Sequence, residues 1–116
     1  MTQTIGCVIA VHRVLGPGYL ESIYREAVYI ELHSRNLAFE AERPVTVRYR
    51  GTEIAGQRVD LIVEGQVIVE IKSVVRLGHV HEAQLLSYLR TTGLRAGLLV
   101  NFHVPSLRQG LRRIVL

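Results

Sequence analysis

The sequence has no tryptophan, one cysteine, one methionine, three prolines and, among its charged residues, a single lysine and a single aspartate. Each scarcity excludes something. With Cys7 alone, no internal disulfide can form and no cysteine-based zinc site can close, so a reducing cytoplasm is the expected compartment. The longest early apolar stretch, Ile5 to Val11, is broken by His12 and Arg13 and falls far short of the ~20 residues that span a bilayer. No basic residue precedes it, so it does not read as a secretory signal, and no membrane partner is expected. Walker-type and dinucleotide-binding glycine patterns are also missing.

What is present fits one folded domain over residues 1–116. Apolar residues make up 48% of the chain and charged residues 21%, which argues against disorder. The net charge of +4 suggests an anionic partner. Thirteen of the 14 basic residues are arginine, the exception being Lys72; nine of the 10 acidic residues are glutamate, the exception being Asp60. A chain that otherwise uses arginine for positive charge has kept lysine at one place, where a compact ammonium differs from a planar guanidinium. An arginine bias with one survivor is the plainer alternative.

Periodicity supplies the elements. Ile5–Leu15 suits a short helix closed by Gly16-Pro17-Gly18, and Tyr19–Leu37 suits a largely buried helix with Glu21/Arg25 and Glu31/Arg35 at i,i+4 spacing and Asn36 as left-handed cap. Val45–Arg50 alternates strictly as a half-buried strand. Gln57–Val63 and Val67–Lys72 complete an antiparallel meander. His81–Thr92 predicts a crossover helix ending at Gly93, and Ala96–Phe102 a strand buried on both faces and parallel to the third; Ile114–Leu116 adds a last edge. The class is α/β, a mixed sheet flanked by helices.

In the third strand Glu70 and Lys72, two apart, share a face with Ile68, while Val67, Val69 and Ile71 take the other. Pairing Val63 with Val67 across a three-residue loop places Asp60 opposite Glu70; a two-residue turn would place it opposite Val69, on the wrong face. Facing carboxylates repel unless protonated or bridged by a cation, and such oxygen ligands suit Mg²⁺ or Mn²⁺. An ordinary salt bridge is the alternative for Glu70 and Lys72 taken alone.

Asp60, then Glu70-Ile71-Lys72, then Gln84-x-x-x-Tyr88 on a helix resembles the PD-(D/E)XK nuclease superfamily, particularly its RecB-like branch. Gly18-Tyr19-Leu20-Glu21-Ser22-Ile23-Tyr24 is similar to the signature of the GxxExxY family within it. The resemblance runs from Ile5 to Val115 and implies a restriction-endonuclease-like αβββαβ core. Val59 stands where the motif has proline, and a domain this short carries no appended nucleic-acid module. By resemblance, Asp60, Glu70, Glu21 and the carbonyl of Ile71 would bind the divalent ion. Lys72 would orient or deprotonate the attacking water, and Gln84 and Tyr88 would reach the site or the substrate backbone. The implied function is metal-dependent hydrolysis of phosphodiester bonds, with DNA as the expected substrate. The rivals are a catalytically silent nucleic-acid-binding or assembly module on the same fold, and a purely structural salt-bridge cluster.

The remaining polar residues carry plainer expectations. Tyr24 reads as a packing ring, His79 and His81 as helix-entry residues, and Ser87 and Cys7 lack a base that would make them nucleophiles. No acidic residue follows Glu82, while Arg90, Arg95, Arg108, Arg112 and Arg113 do, a one-signed tail suited to phosphates or to a solvated face. The high apolar fraction of so short a chain points to a two-fold homodimer.

Overall fold

The computed structural model describes all residues from Met1 to Leu116. Helices α1 (Thr2–Leu15) and α2 (Glu21–Ser34) precede strands β1 (Phe39–Tyr49), β2 (Thr52–Val63) and β3 (Val67–Lys72). Helix α3 (His79–Thr92) then crosses over to β4 (Ala96–Asn101), and a short 3-10 turn (Leu107–Gly110) leads to β5 (Leu111–Val115). The strands lie in the order β1-β2-β3-β4-β5, with β3 and β4 parallel and every other pair antiparallel. This is the mixed, helix-flanked α/β sheet that the periodicity implies, consistent with a restriction-endonuclease-like core. No helix is long and apolar enough to cross a membrane.

The alternation of strand side chains divides the core in two. On one face, Val67, Val69 and Ile71 of β3 and Leu98 and Val100 of β4 pack against Cys7, Val8 and Val11 of α1 and Tyr24, Val28 and Leu32 of α2. On the other, Ile68, Leu99 and Ile62 pack against Leu85, Tyr88 and Leu89 of α3. Burial on both faces is why β4 reads as a nearly unbroken apolar run. Helix α3 approaches β4 closely because Gly97 has no side chain: a Cβ there would stand 2.9 Å from a methyl of Leu85.

The boundaries differ from the sequence-based ones where tertiary contacts extend an element. Helix α1 starts at Thr2, with Thr4 buried, and α3 starts at His79. Helix α2 is shorter than expected, Glu21–Ser34, because Asn36 (φ 57°) turns the chain and the Leu37 N–H returns to the Leu32 carbonyl. Strand β1 begins at Phe39, not after Pro44; as the edge of the sheet it tolerates a proline that cannot donate to a ladder. Strand β5 reaches back to Leu111.

The turn Arg50-Gly51, both residues left-handed, closes the β1–β2 hairpin between paired Tyr49 and Thr52. Its outer half is exposed on both faces and forms an arm, which lengthens the molecule to 46 Å against 31 and 23 Å in the other directions. Between β2 and β3 the loop is the three-residue one, with Val63 paired to Val67 and Leu61 to Val69.

Candidate active site

Leu61 and Val69 are the last paired residues of β2 and β3. Beyond them the backbone donors that would continue the ladder are taken by carboxylates. The Asp60 N–H donates to Glu70 Oε1 at 3.1 Å, and the Ile71 N–H donates to Asp60 Oδ2 at 2.7 Å. The two acids are thus fixed side by side at a fork between strands. A strand residue directs its N–H and C=O to the same edge, so the Ile71 carbonyl also faces this fork, while the Lys72 carbonyl is occupied by the Phe102 N–H at 2.9 Å.

Glu70 is only 4% exposed. Burial, first, and the adjacent Asp60 charge push its carboxyl up to about 8, against the opposing pull of the Asp60 N–H and Lys72. Two adjacent carboxylates repel unless one is protonated or a cation lies between them, and their hard oxygens are a donor set that fits a divalent ion. Lys72 is half-buried, and its Nζ lies 3.5 Å from Gln84 Oε1. Tyr88, one helical turn along α3, is buried in the second core. Its phenol is pushed up by burial and then by the charges of Glu70 and Asp60. Gln84 and Tyr88 therefore both reach the Glu70–Lys72 face.

Glu21 is placed differently from the expectation. It does not join Asp60 and Glu70 in a cluster of three: no three His, Cys, Asp or Glu side chains group closely enough to hold a metal. Arg25 intervenes. Its guanidinium lies 3.9 Å from Glu21, 3.7 Å from Asp60 and 3.8 Å from Glu42, all too long for hydrogen bonds. The physical reason is the helix itself, since i,i+4 spacing places Arg25 one turn beyond Glu21 on the side facing Asp60.

Two participants escape the sequence reading. The i,i+4 spacing pairs Arg25 with Glu21 alone, because helix spacing carries no information about the sheet beneath. Glu42 lies in a segment without strand alternation, and only the β1–β2 register of the folded sheet places position 42 opposite Asp60. Glu42 also has φ 47°, a left-handed conformation that interrupts the pairing. Tyr29 adds a contact from α2, its hydroxyl donating to the Asp60 carbonyl at 3.3 Å; burial pushes this phenol up to about 12.

The other singled-out residues take supporting places. Tyr24 is fully buried, stacks on Phe102 with centroids 4.4 Å apart, and ties down the preceding loop by donating to the Gly16 carbonyl and accepting from the Tyr19 N–H. His81 Nδ1 accepts from the Gly78 N–H at 3.0 Å and closes the start of α3, while His79 leans toward Glu82 at 3.8 Å. Ser87 Oγ donates to the Gln84 carbonyl, and Cys7 is buried, which pushes its thiol up. In the basic tail, Arg112 is neutralised by Glu82 at 2.6 Å.

A family model for the PD-(D/E)XK nuclease superfamily matches residues 1–114, nearly the whole chain. The chain belongs to the PD-(D/E)XK nuclease superfamily. No curated protein and no solved structure gives a significant match.

Proposed function

We propose that this protein is a metal-dependent nuclease that hydrolyses phosphodiester bonds in DNA and that it falls within the GxxExxY family. The observation that carries the reading is the fork itself: two acids held by backbone N–H groups where the β2–β3 ladder ends, beside the only lysine in the chain. An ordinary surface salt bridge would leave the ladder intact and the carboxylates hydrated.

Asp60, Glu70 and the Ile71 carbonyl would hold Mg²⁺ or Mn²⁺, and Glu21 would join them once Arg25 gives way. The ion, when bound, supplies Lewis acidity toward the phosphate and acidifies a water. Asp60 is held in place by the Ile71 N–H, so its free oxygen has one direction to offer. Glu70, once ionised, turns its remaining oxygen to the same place. Lys72 brings a compact positive charge near the attacking water and the phosphate, and Gln84 limits where its ammonium can go. Tyr88 seals the α3 side against bulk water. Exposed apolar residues, Leu20 and Ile23 at the α2 entry and Val75 and Val80 at the α3 entry, support a two-fold homodimer.

Single- and double-stranded DNA and RNA incubated with Mg²⁺, Mn²⁺ or EDTA, beside Lys72→Ala, test the reading. Cleavage that needs the metal and is lost in Lys72→Ala is expected. Metal-independent cleavage would overturn the metal-dependent mechanism, and binding without cleavage in every metal would replace the nuclease reading with the binding-module alternative.

A further inference from the structure

A second feature at the same end of the sheet has no part in the catalytic arrangement. Between the last turn of α1 and the segment that follows β4 lies a cavity of about 540 Å³, bordered by His12, Arg13, Pro17, Pro105, Ser106 and Arg108. No acidic residue lines it. Arg13 and Arg108 have no carboxylate within salt-bridge distance, unlike Arg25, Arg35, Arg43, Arg48 and Arg112. Two guanidinium groups thus share one concavity without a counter-charge.

His12 makes it a built site. It is 7% exposed, and its Nε2 donates to the Val104 carbonyl at 2.8 Å, which fixes the ring and leaves Nδ1 without a protein partner. The segment that carries Pro105 to Arg108 is anchored at both ends outside the cavity: Gly110 packs so closely on the Asn101 carbonyl that a Cβ would have no room, and buried Asn101 holds both the N–H and the carbonyl of Val74. Arg13 and Arg108, exposed on the border of a concavity without acidic lining, supply guanidinium donors suited to a tetrahedral oxyanion.

The cavity is also linked to the catalytic fork by a chain of packed rings and hydrogen bonds. The His12 ring lies 6.2 Å from Phe102, which stacks on Tyr24; Tyr24 anchors Gly16 and Tyr19; and Ser73, next to Lys72, donates to the Tyr19 carbonyl at 2.9 Å. The Gly16–Tyr19 loop is the ridge between the two places. Tyr19 is half exposed on it, a ring available for a base to stack on. We propose that the Arg13–Arg108–His12 cavity is a second phosphate site, which holds the backbone of a single nucleic-acid strand that crosses this loop from the bond being cut. The strand's identity rests on the nuclease reading; the affinity for phosphate does not.

Two measurements in EDTA test it. First, inorganic phosphate is titrated while the His12 ring resonances are followed by NMR. Saturable shifts are expected in the wild type and in R50Q/R58Q, which removes two unpaired arginines from the β1–β2 arm, and not in R13Q/R108Q. Shifts that persist in R13Q/R108Q, or that sodium chloride reproduces at equal ionic strength, overturn the site as an adventitious charge effect. Second, anisotropy of labelled thymidine tetramers and dodecamers is measured across salt. R13Q/R108Q should weaken the dodecamer at least tenfold, more than the tetramer, and flatten its log–log salt slope by about 1.4 for two lost phosphate contacts. Equal affinity and slope in wild type and R13Q/R108Q overturn the second site and leave the nuclease reading standing. A dodecamer held through these arginines but never cut with Mg²⁺ or Mn²⁺ keeps the second site and overturns the nuclease reading.

Discussion

Helix α2 carries the same i,i+4 glutamate–arginine pair at both ends, and the two pairs behave differently. At the C-terminal end Glu31 and Arg35 meet at 2.7 Å in a hydrogen-bonded surface bridge. At the N-terminal end Glu21 and Arg25 stand 3.9 Å apart, because Arg25 is shared with Asp60 and Glu42 across the helix–sheet junction. One arginine satisfies a neighbour, while the other stands among three acids and satisfies none of them fully. Helical spacing tells which charges can meet; the sheet underneath decides whether that meeting is their purpose.

The largest expected effect separates the two ends by chemistry. Asp60→Asn and Lys72→Arg should each lower hydrolysis by about 10²-fold or more, the first with loss of metal affinity and the second without it. Glu31→Gln should leave the rate where it is. Equal rates for wild type and Lys72→Arg would remove the lysine from the chemistry and reduce the contrast to one of packing.

The next effect is on pH. The Glu70 carboxyl is raised in the folded state from 4.5 to about 8, so between those values the folded chain binds more protons than the unfolded one. Stability without metal should therefore be fully favoured below about 4.5 and lost as pH rises through 8, by at most ~1.4 kcal/mol per pH unit. Urea unfolding in EDTA across this range should show the decline, and Glu70→Gln should flatten it. A wild-type profile parallel to that of Glu70→Gln would mean that the Glu70 carboxyl is not raised by folding.

Arg25→Gln exposes Glu21, Glu42 and Asp60 to one another and should lower the metal-free melting temperature by about 4–8 °C, with Mg²⁺ restoring more of it than in wild type. Arg35→Gln should shift it by about 2 °C or less and show no metal dependence. If both variants respond alike, the two ends of α2 are equivalent and the comparison fails.

Much of this was legible in the chain. The sequence left two β2–β3 registers open; the structure takes the three-residue loop, which brings Asp60 and Glu70 together, and a slip of one residue would have turned Leu61 and Val63 away from their core. The buried run at Ala96 announced a central parallel strand for the same kind of reason. Arg25 and Glu42 were not legible, since their roles depend on how α2 lies over the sheet and on a left-handed residue that no alternation reveals. Nor was the cavity at His12, whose walls come from segments 90 residues apart in a chain with few aromatic landmarks.

The strand fork has one more consequence. The Ile71 amide proton lies between backbone and carboxylate, donated to an Asp60 oxygen instead of to a neighbouring strand. In a fully buried residue of a central strand, that proton exchanges with solvent only when the fork opens. Its chemical shift follows the electron density on Asp60, so a cation that draws on the same carboxylate is registered at this one amide without any substrate being present. The protein thereby contains its own isotopic gauge of site occupancy, readable in the resting state and independent of turnover.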